Sequence, residues 1–121
     1  MSDVLSDPLD RSQIELLLSL DDGEGVALQE IVDEYLTMSE EGRVELLRVL
    51  QEGDAHAVER AAHTLKGASA NVGANALVDV CGGIEAHARQ GELQRAAELT
   101  AQFEAELARA QGALQAVVAR P

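Results

Sequence analysis

The stretch RAAHTLKGASANVGA, residues 60–74, holds the side chains best suited to chemistry: His63, Lys66 and Gly67. An imidazole is a nucleophile near neutral pH, and an ammonium group three residues further along a helix can reach an anion carried on that ring. At about 100° per residue, Val58, Ala61, Ala62, Leu65, Ser69 and Val72 fall within roughly 60° of Leu65, which marks the inward side. His63 falls roughly 160° from Leu65, on the solvent side, with Gly67 one turn along the same outer face and Lys66 on its flank. A mid-helix glycine costs about 1 kcal/mol relative to alanine, and nothing in the helix itself recovers that loss. Without a side chain at position 67, an approaching partner reaches the imidazole unobstructed. Lys66 is the only lysine; the other eight basic residues are arginine. Its compact, movable charge suits an anionic group that arrives and departs, such as a phosphoryl group, whereas the arginine fork suits a fixed clamp.

The remaining reactive residue types carry weaker signals. His56 shares the outer face two turns before His63, as a site neighbour or a solvated surface residue, and His87 stands isolated without an assigned function. Cys81 lies within an apolar helical stripe and reads as a small buried hydrophobe, with Gly82 and Gly83 beside it as packing glycines.

The elements that must position these residues are helical. A chain of 121 residues supports one domain with a real core, and it holds only one Tyr and one Phe, so Leu, Val, Ile and Ala must fill that core. Residues 1–9 read as a flexible arm and 10–119 as the domain. Asp10 is suited to cap a short helix over 11–20, which DDGEG ends. Residues 24–52 carry two apolar stripes, Leu28, Ile31, Val32 and Tyr35, then Leu46, Leu47 and Leu50; Ser39 and Gly42 between them leave open one kinked helix or two. Gly53 and Asp54 read as a stop and a restart, followed by a helix to residue 71, the NVGAN connection, and a segment from Leu77 to Ala88 that Gly91 terminates. A last helix over 92–119 carries Leu93, Ala96, Phe103, Leu107, Ala110, Leu114 and Val117 on one stripe. The fold expected is all-α, an antiparallel four-helix bundle with a short accessory N-terminal helix.

Composition narrows the partners. Twenty-two acidic against nine basic residues give a formal charge of −13, which repels nucleic acid and anionic membrane surfaces. One cysteine, no signal-peptide pattern and no apolar run of roughly 20 residues point to a cytoplasmic protein.

The segment AAHTLKGASANVGA resembles the signature of histidine-containing phosphotransfer (HPt) domains, H-x-x-K-G-small-small followed by an apolar–Gly pair. The EGD turn before it and the L…C…IE pattern after it extend the likeness over about residues 9–118. The resemblance implies a phosphorelay carrier of two-component signalling. It would accept a phosphoryl group from a receiver-domain aspartate or a sensor or hybrid histidine kinase, and pass it to the aspartate of a response-regulator receiver domain. His63 would be the phosphoacceptor, Lys66 would steady the phosphoryl charge and Gly67 would give the partner room. Ala62, Ala68 and Ala70 would keep the surroundings small, with Ala62 and Ala70 in an apolar docking patch, and Gly73 matches the family glycine at the helix exit. Glu85 resembles the polar residue that in some members hydrogen-bonds the imidazole; it reads either as that orienter or as a solvated residue at the bundle edge. No cofactor is implied for this chain, the Mg²⁺ belonging to the receiver. No GxxxxGK loop is present to bind ATP. The beginning at Met1 and the lack of kinase segments favour a free-standing protein.

Two other classes compete. A di-iron bundle needs paired Glu-x-x-His motifs, and Glu59 with His63 or Glu85 with His87 have the wrong spacing. A non-catalytic helical adaptor would use the long last helix without phosphorylation.

Overall fold

A computed structural model describes residues 8–19 and 25–119. In chain order the helices are α1 (Arg11–Ser19), α2 (Val26–Glu52), α3 (Ala55–Asn71), α4 (Asn75–Arg89), α5 (Leu93–Glu98) and α6 (Thr100–Val118). The expected arm at 1–9 and the DDGEG stop lie largely outside the described residues. Leu9, at the inner end of that stretch, packs against the core.

The long helices α2, α3, α4 and α6 form an antiparallel bundle, and the pairings across them fix its register. Tyr35 meets Ser69 and Gly42 meets Leu65 between α2 and α3; Ser39 meets Gln111 and Arg43 meets Glu104 between α2 and α6. The apolar core between them is aliphatic apart from Phe103, Tyr35 and Cys81. Tyr35 is buried with its hydroxyl 2.9 Å from Ser69 Oγ, so its polar atom is paired.

Helix ends follow the local chemistry of the sequence. Gly53 adopts a left-handed conformation (φ 76°) at the end of α2, and the Asp54 side chain accepts from Ala57 N–H at 3.1 Å to cap α3. Asp10 Oδ1 accepts from Ser12 N–H at 2.8 Å, capping α1. Asp10 N–H also donates to the Gly73 carbonyl at 2.6 Å. Gly73 is required there: its φ is +74°, and a Cβ would sit 2.8 Å from Gln13 Cβ and 3.0 Å from Asp10 Cβ.

Two expectations are corrected or resolved. The last helix is not continuous over 92–119: Leu99 donates to Ala96 at 3.1 Å, a tighter turn that separates α5 from α6. This tight turn sets Leu99 against Gly83, where an added Cβ would lie 3.1 Å from Leu99 Cδ1. Residues 26–52, by contrast, form one helix. Its buried stripe runs Leu28, Val32, Tyr35, Ser39, Leu46 and Val49, and Gly42 falls on that stripe where Leu65 Cδ2 would lie 2.7 Å from a Cβ. What looked like a break is the place where α2 makes room for the Leu65 side chain of α3.

Cys81 is fully buried in α4. Burial pushes its thiol up to about 12, the Glu85 carboxylate adding to the effect and Lys66 opposing it. The reactive thiolate is then a fraction of roughly one in ten thousand at pH 8. Native protein at pH 8 is expected to resist iodoacetamide and to be alkylated fully once unfolded in urea. Stoichiometric labelling of the folded protein would contradict this burial.

Candidate functional site

The α3–α4 pair builds the site in one register. Glu59 faces Arg89, His63 faces Glu85 and Lys66 faces Gly82. On α3 the inward side is Val58, Ala62, Leu65 and Ser69, all buried, which turns His63 outward with its side chain 68% exposed. Ala62 therefore belongs to the core at 0% exposure and lies outside any docking patch; Ala70 is exposed. The reason is the helical period itself, since 62 falls three residues before Leu65 on the buried stripe.

Glu85 is buried, at 4% exposure, and is not a solvated edge residue. Its Oε2 accepts from His63 Nδ1 at 2.7 Å, and its Oε1 from Lys66 Nζ at 2.6 Å. Burial pushes the Glu85 carboxyl up, but hydrogen bonds from Lys66 and His63 outweigh it, and the net result lies below the ordinary glutamate value. A carboxylate on Nδ1 fixes the tautomer that carries its proton there, which leaves the Nε2 lone pair free. Among the described residues Nε2 has no hydrogen-bond partner.

Lys66 was expected beside an anion on the ring; in the unmodified protein its ammonium is engaged by Glu85 instead, and its stem lies over Gly82, 3.7 Å from where a Cβ would be. Two contributors complete the cluster: Arg89, not singled out in the sequence, and Glu59, weighed there only as a metal ligand. Arg89 donates from Nη2 to Glu85 Oε2 at 3.1 Å and from Nε to Glu59 Oε2 at 2.8 Å. Their i, i+4 spacings, Glu59 to His63 and Glu85 to Arg89, were the available signal. His56 lines the same shallow depression as His63, Glu59 and Arg89. His87 lies away from it, its Nδ1 2.9 Å from Glu92 at the turn into α5. Among the described residues no three His, Cys, Asp or Glu side chains gather to hold a metal ion, and no helix is long and apolar enough to cross a membrane.

Gly67 is exposed on the His63 face, and a Cβ added there would meet nothing within 4 Å. Its glycine is thus unexplained by packing. Gly67→Ala is expected to raise the unfolding free energy by about 1 kcal/mol, while slowing severalfold any reaction that brings a partner molecule to His63. Urea unfolding and the kinetics of modification at His63 on the same variant check both; a stabilised protein with unchanged kinetics would remove the access role.

Fold and site define a helical bundle that displays one oriented imidazole, backed by a buried carboxylate, on an uncluttered helix face. The Hpt domain family matches residues 30–113. The structure is similar to histidine-containing phosphotransfer protein B (HptB) from Pseudomonas aeruginosa PAO1, with a TM-score of 0.87 and 34% identity, covering 96% of this chain and 98% of that one. It also resembles in fold the maize histidine-containing phosphotransfer protein ZmHP2, at TM-score 0.80 and 22% identity over 93% of this chain and 83% of that one. Phosphorelay intermediate protein rdeA of Dictyostelium discoideum is 30% identical over 89 residues, 74% of this chain; the chain spans about a third (35%) of that protein's length. The chain belongs to the Hpt domain family.

Proposed function

We propose that the chain is a phosphorelay carrier of two-component signalling in which His63 holds the phosphoryl group. The observation that carries this reading is the exposed imidazole anchored at Nδ1 by buried Glu85, with Nε2 open to solvent. The Nε2 lone pair attacks the phosphorus of an aspartyl phosphate in line; the bond from phosphorus to the carboxylate oxygen breaks, and its electron pair leaves with the aspartate. The product imidazole keeps its Nδ1 proton, and its positive charge is shared with Glu85. Transfer to the next receiver reverses these steps.

The partners are receiver domains of response regulators and a sensor or hybrid histidine kinase. The receiver's acidic pocket brings the Mg²⁺, and this chain contributes the nucleophile and its setting. The sequence contains no GxxxxGK loop, so ATP use belongs to the kinase. A cytoplasmic location follows from that partnership.

The test is incubation with a radiolabelled, phosphorylated receiver domain, followed by tandem mass spectrometry of the product. Acid-labile label on His63 is the expected result. Folded protein that stays unlabelled across a broad panel of receivers, or label on another residue, would overturn the proposal.

A further inference from the structure

Glu85 serves more donors than orienting a ring requires. Lys66 holds Oε1, while His63 and Arg89 share Oε2. Arg89 also holds Glu59, which stands one turn before His63, so its planar fork spans a carboxylate on each helix. The two carboxylates, Glu59 and Glu85, are balanced by two permanent cations, Lys66 and Arg89.

That balance matters when a phosphoryl group arrives on Nε2, across the ring from Glu85. To close on it, the Lys66 ammonium must loosen a 2.6 Å contact with Glu85. A buried carboxylate deprived of its cation is costly. The stem of Lys66 runs over Gly82, where no side chain fences it, and its side chain is 34% exposed, so the lysine has room to move. Arg89, although its side chain is 60% exposed, is tied on two sides, Nε to Glu59 and Nη2 to Glu85. We infer that Arg89 is a positioning residue, which keeps the Glu85 carboxylate paired and in place when Lys66 passes from Glu85 to the phosphoryl group. The inference rests on the proposed role of His63. It divides the labour between a fixed arginine and a mobile lysine, and it explains why one carboxylate carries both.

Lys66 is the only lysine, so its Nζ resonance needs no assignment. The experiment follows the ¹⁵Nζ signal before and after phosphorylation of the domain with phosphoramidate, in wild type and Arg89→Ala, neither of which has a second lysine. Transfer from each phosphorylated domain to a receiver is measured alongside. In wild type the Nζ signal is expected to move on phosphorylation. In Arg89→Ala it stays near its unphosphorylated position, and the transfer rate falls about tenfold with the half-saturating receiver concentration unchanged. Arg89→Lys, which restores a cation but adds a second Nζ, is read by transfer alone and recovers part of the rate. The Arg89 side chain is 60% exposed, so thermal unfolding is expected to show an intact fold. A lysine signal that moves as far in Arg89→Ala as in wild type overturns the inference, whatever the rate does. Wild type that takes phosphate from phosphoramidate but passes none to receivers refutes the carrier role instead, and leaves the lysine readout intact.

Discussion

His63→Gln is expected to abolish phosphoryl acceptance, lowering the initial rate by at least about a thousandfold, while changing the unfolding free energy by less than about 0.5 kcal/mol. The separation follows from the geometry. The imidazole is 68% exposed and, among the described residues, its one hydrogen bond is to Glu85, so its loss leaves the apolar core untouched. Glu85 itself keeps Lys66 and Arg89, so no buried carboxylate is left without a cation. Glutamine offers no nucleophile of comparable strength. The other imidazoles are poor substitutes: His87, though its Nδ1 also bonds a carboxylate, is only 32% exposed against 68% for His63, and among the described residues no carboxylate holds the tautomer of His56. Acid-labile label from a phosphorylated receiver, read beside urea unfolding followed at 222 nm, checks both halves. Label persisting on the variant would move the nucleophile elsewhere, with His56 the first residue to test.

Much of this arrangement is legible in the sequence because it is local. The outward position of His63 and the inward positions of Val58, Leu65 and Ser69 follow from the helical period alone. The caps at Asp10, Gly53 and Asp54 are equally local, each a matter of one side chain or one backbone conformation. The α2 helix was harder to read, because Ser39 and Gly42 interrupt an apolar stripe in composition without interrupting it in space. Ser39 is satisfied by Gln111, and Gly42 is filled from outside by Leu65, 23 residues away. The break at Leu99 escapes a periodicity argument for the opposite reason, since apolar residues on both sides of it still face the core.

At the site, the missing element was the pairing across helices. Glu85 became a candidate only through resemblance to a family, whereas its burial and its hold on Lys66 depend on the register of α3 against α4. Once Glu59 faces Arg89 and His63 faces Glu85, a lysine three residues past the histidine lands over Gly82 with Glu85 in reach. Gly82 thus serves a lysine stem and Gly83 a leucine; the sequence identified both as packing glycines without showing what packs.

Glu85→Gln is the second large effect, on transfer and on acid behaviour together. A carboxylate offers an acceptor to His63 on one oxygen and to Lys66 on the other. An amide offers one oxygen, so its NH₂ group must oppose a donor, and either the histidine tautomer or the lysine loses its hold. Transfer is expected to fall about ten- to a hundredfold. Stability falls by about 1 kcal/mol, at the low end for bonds to a charged group because Lys66 and Arg89 both reach solvent. The Glu85 carboxyl lies below the ordinary glutamate value of 4.5 in the folded protein, despite burial, through its bonds to Lys66 and His63. A depressed folded value means that the charged form contributes stability above the unfolded value and loses that contribution as pH falls through the folded one. The gap in unfolding free energy between wild type and Glu85→Gln should therefore hold from pH 7 down to about 5, narrow below about 4.5 and close at lower pH. A gap that stays constant into acid would mean that the carboxylate charge contributes nothing to stability. Wild-type transfer by Glu85→Gln would mean that the imidazole needs no carboxylate to present Nε2.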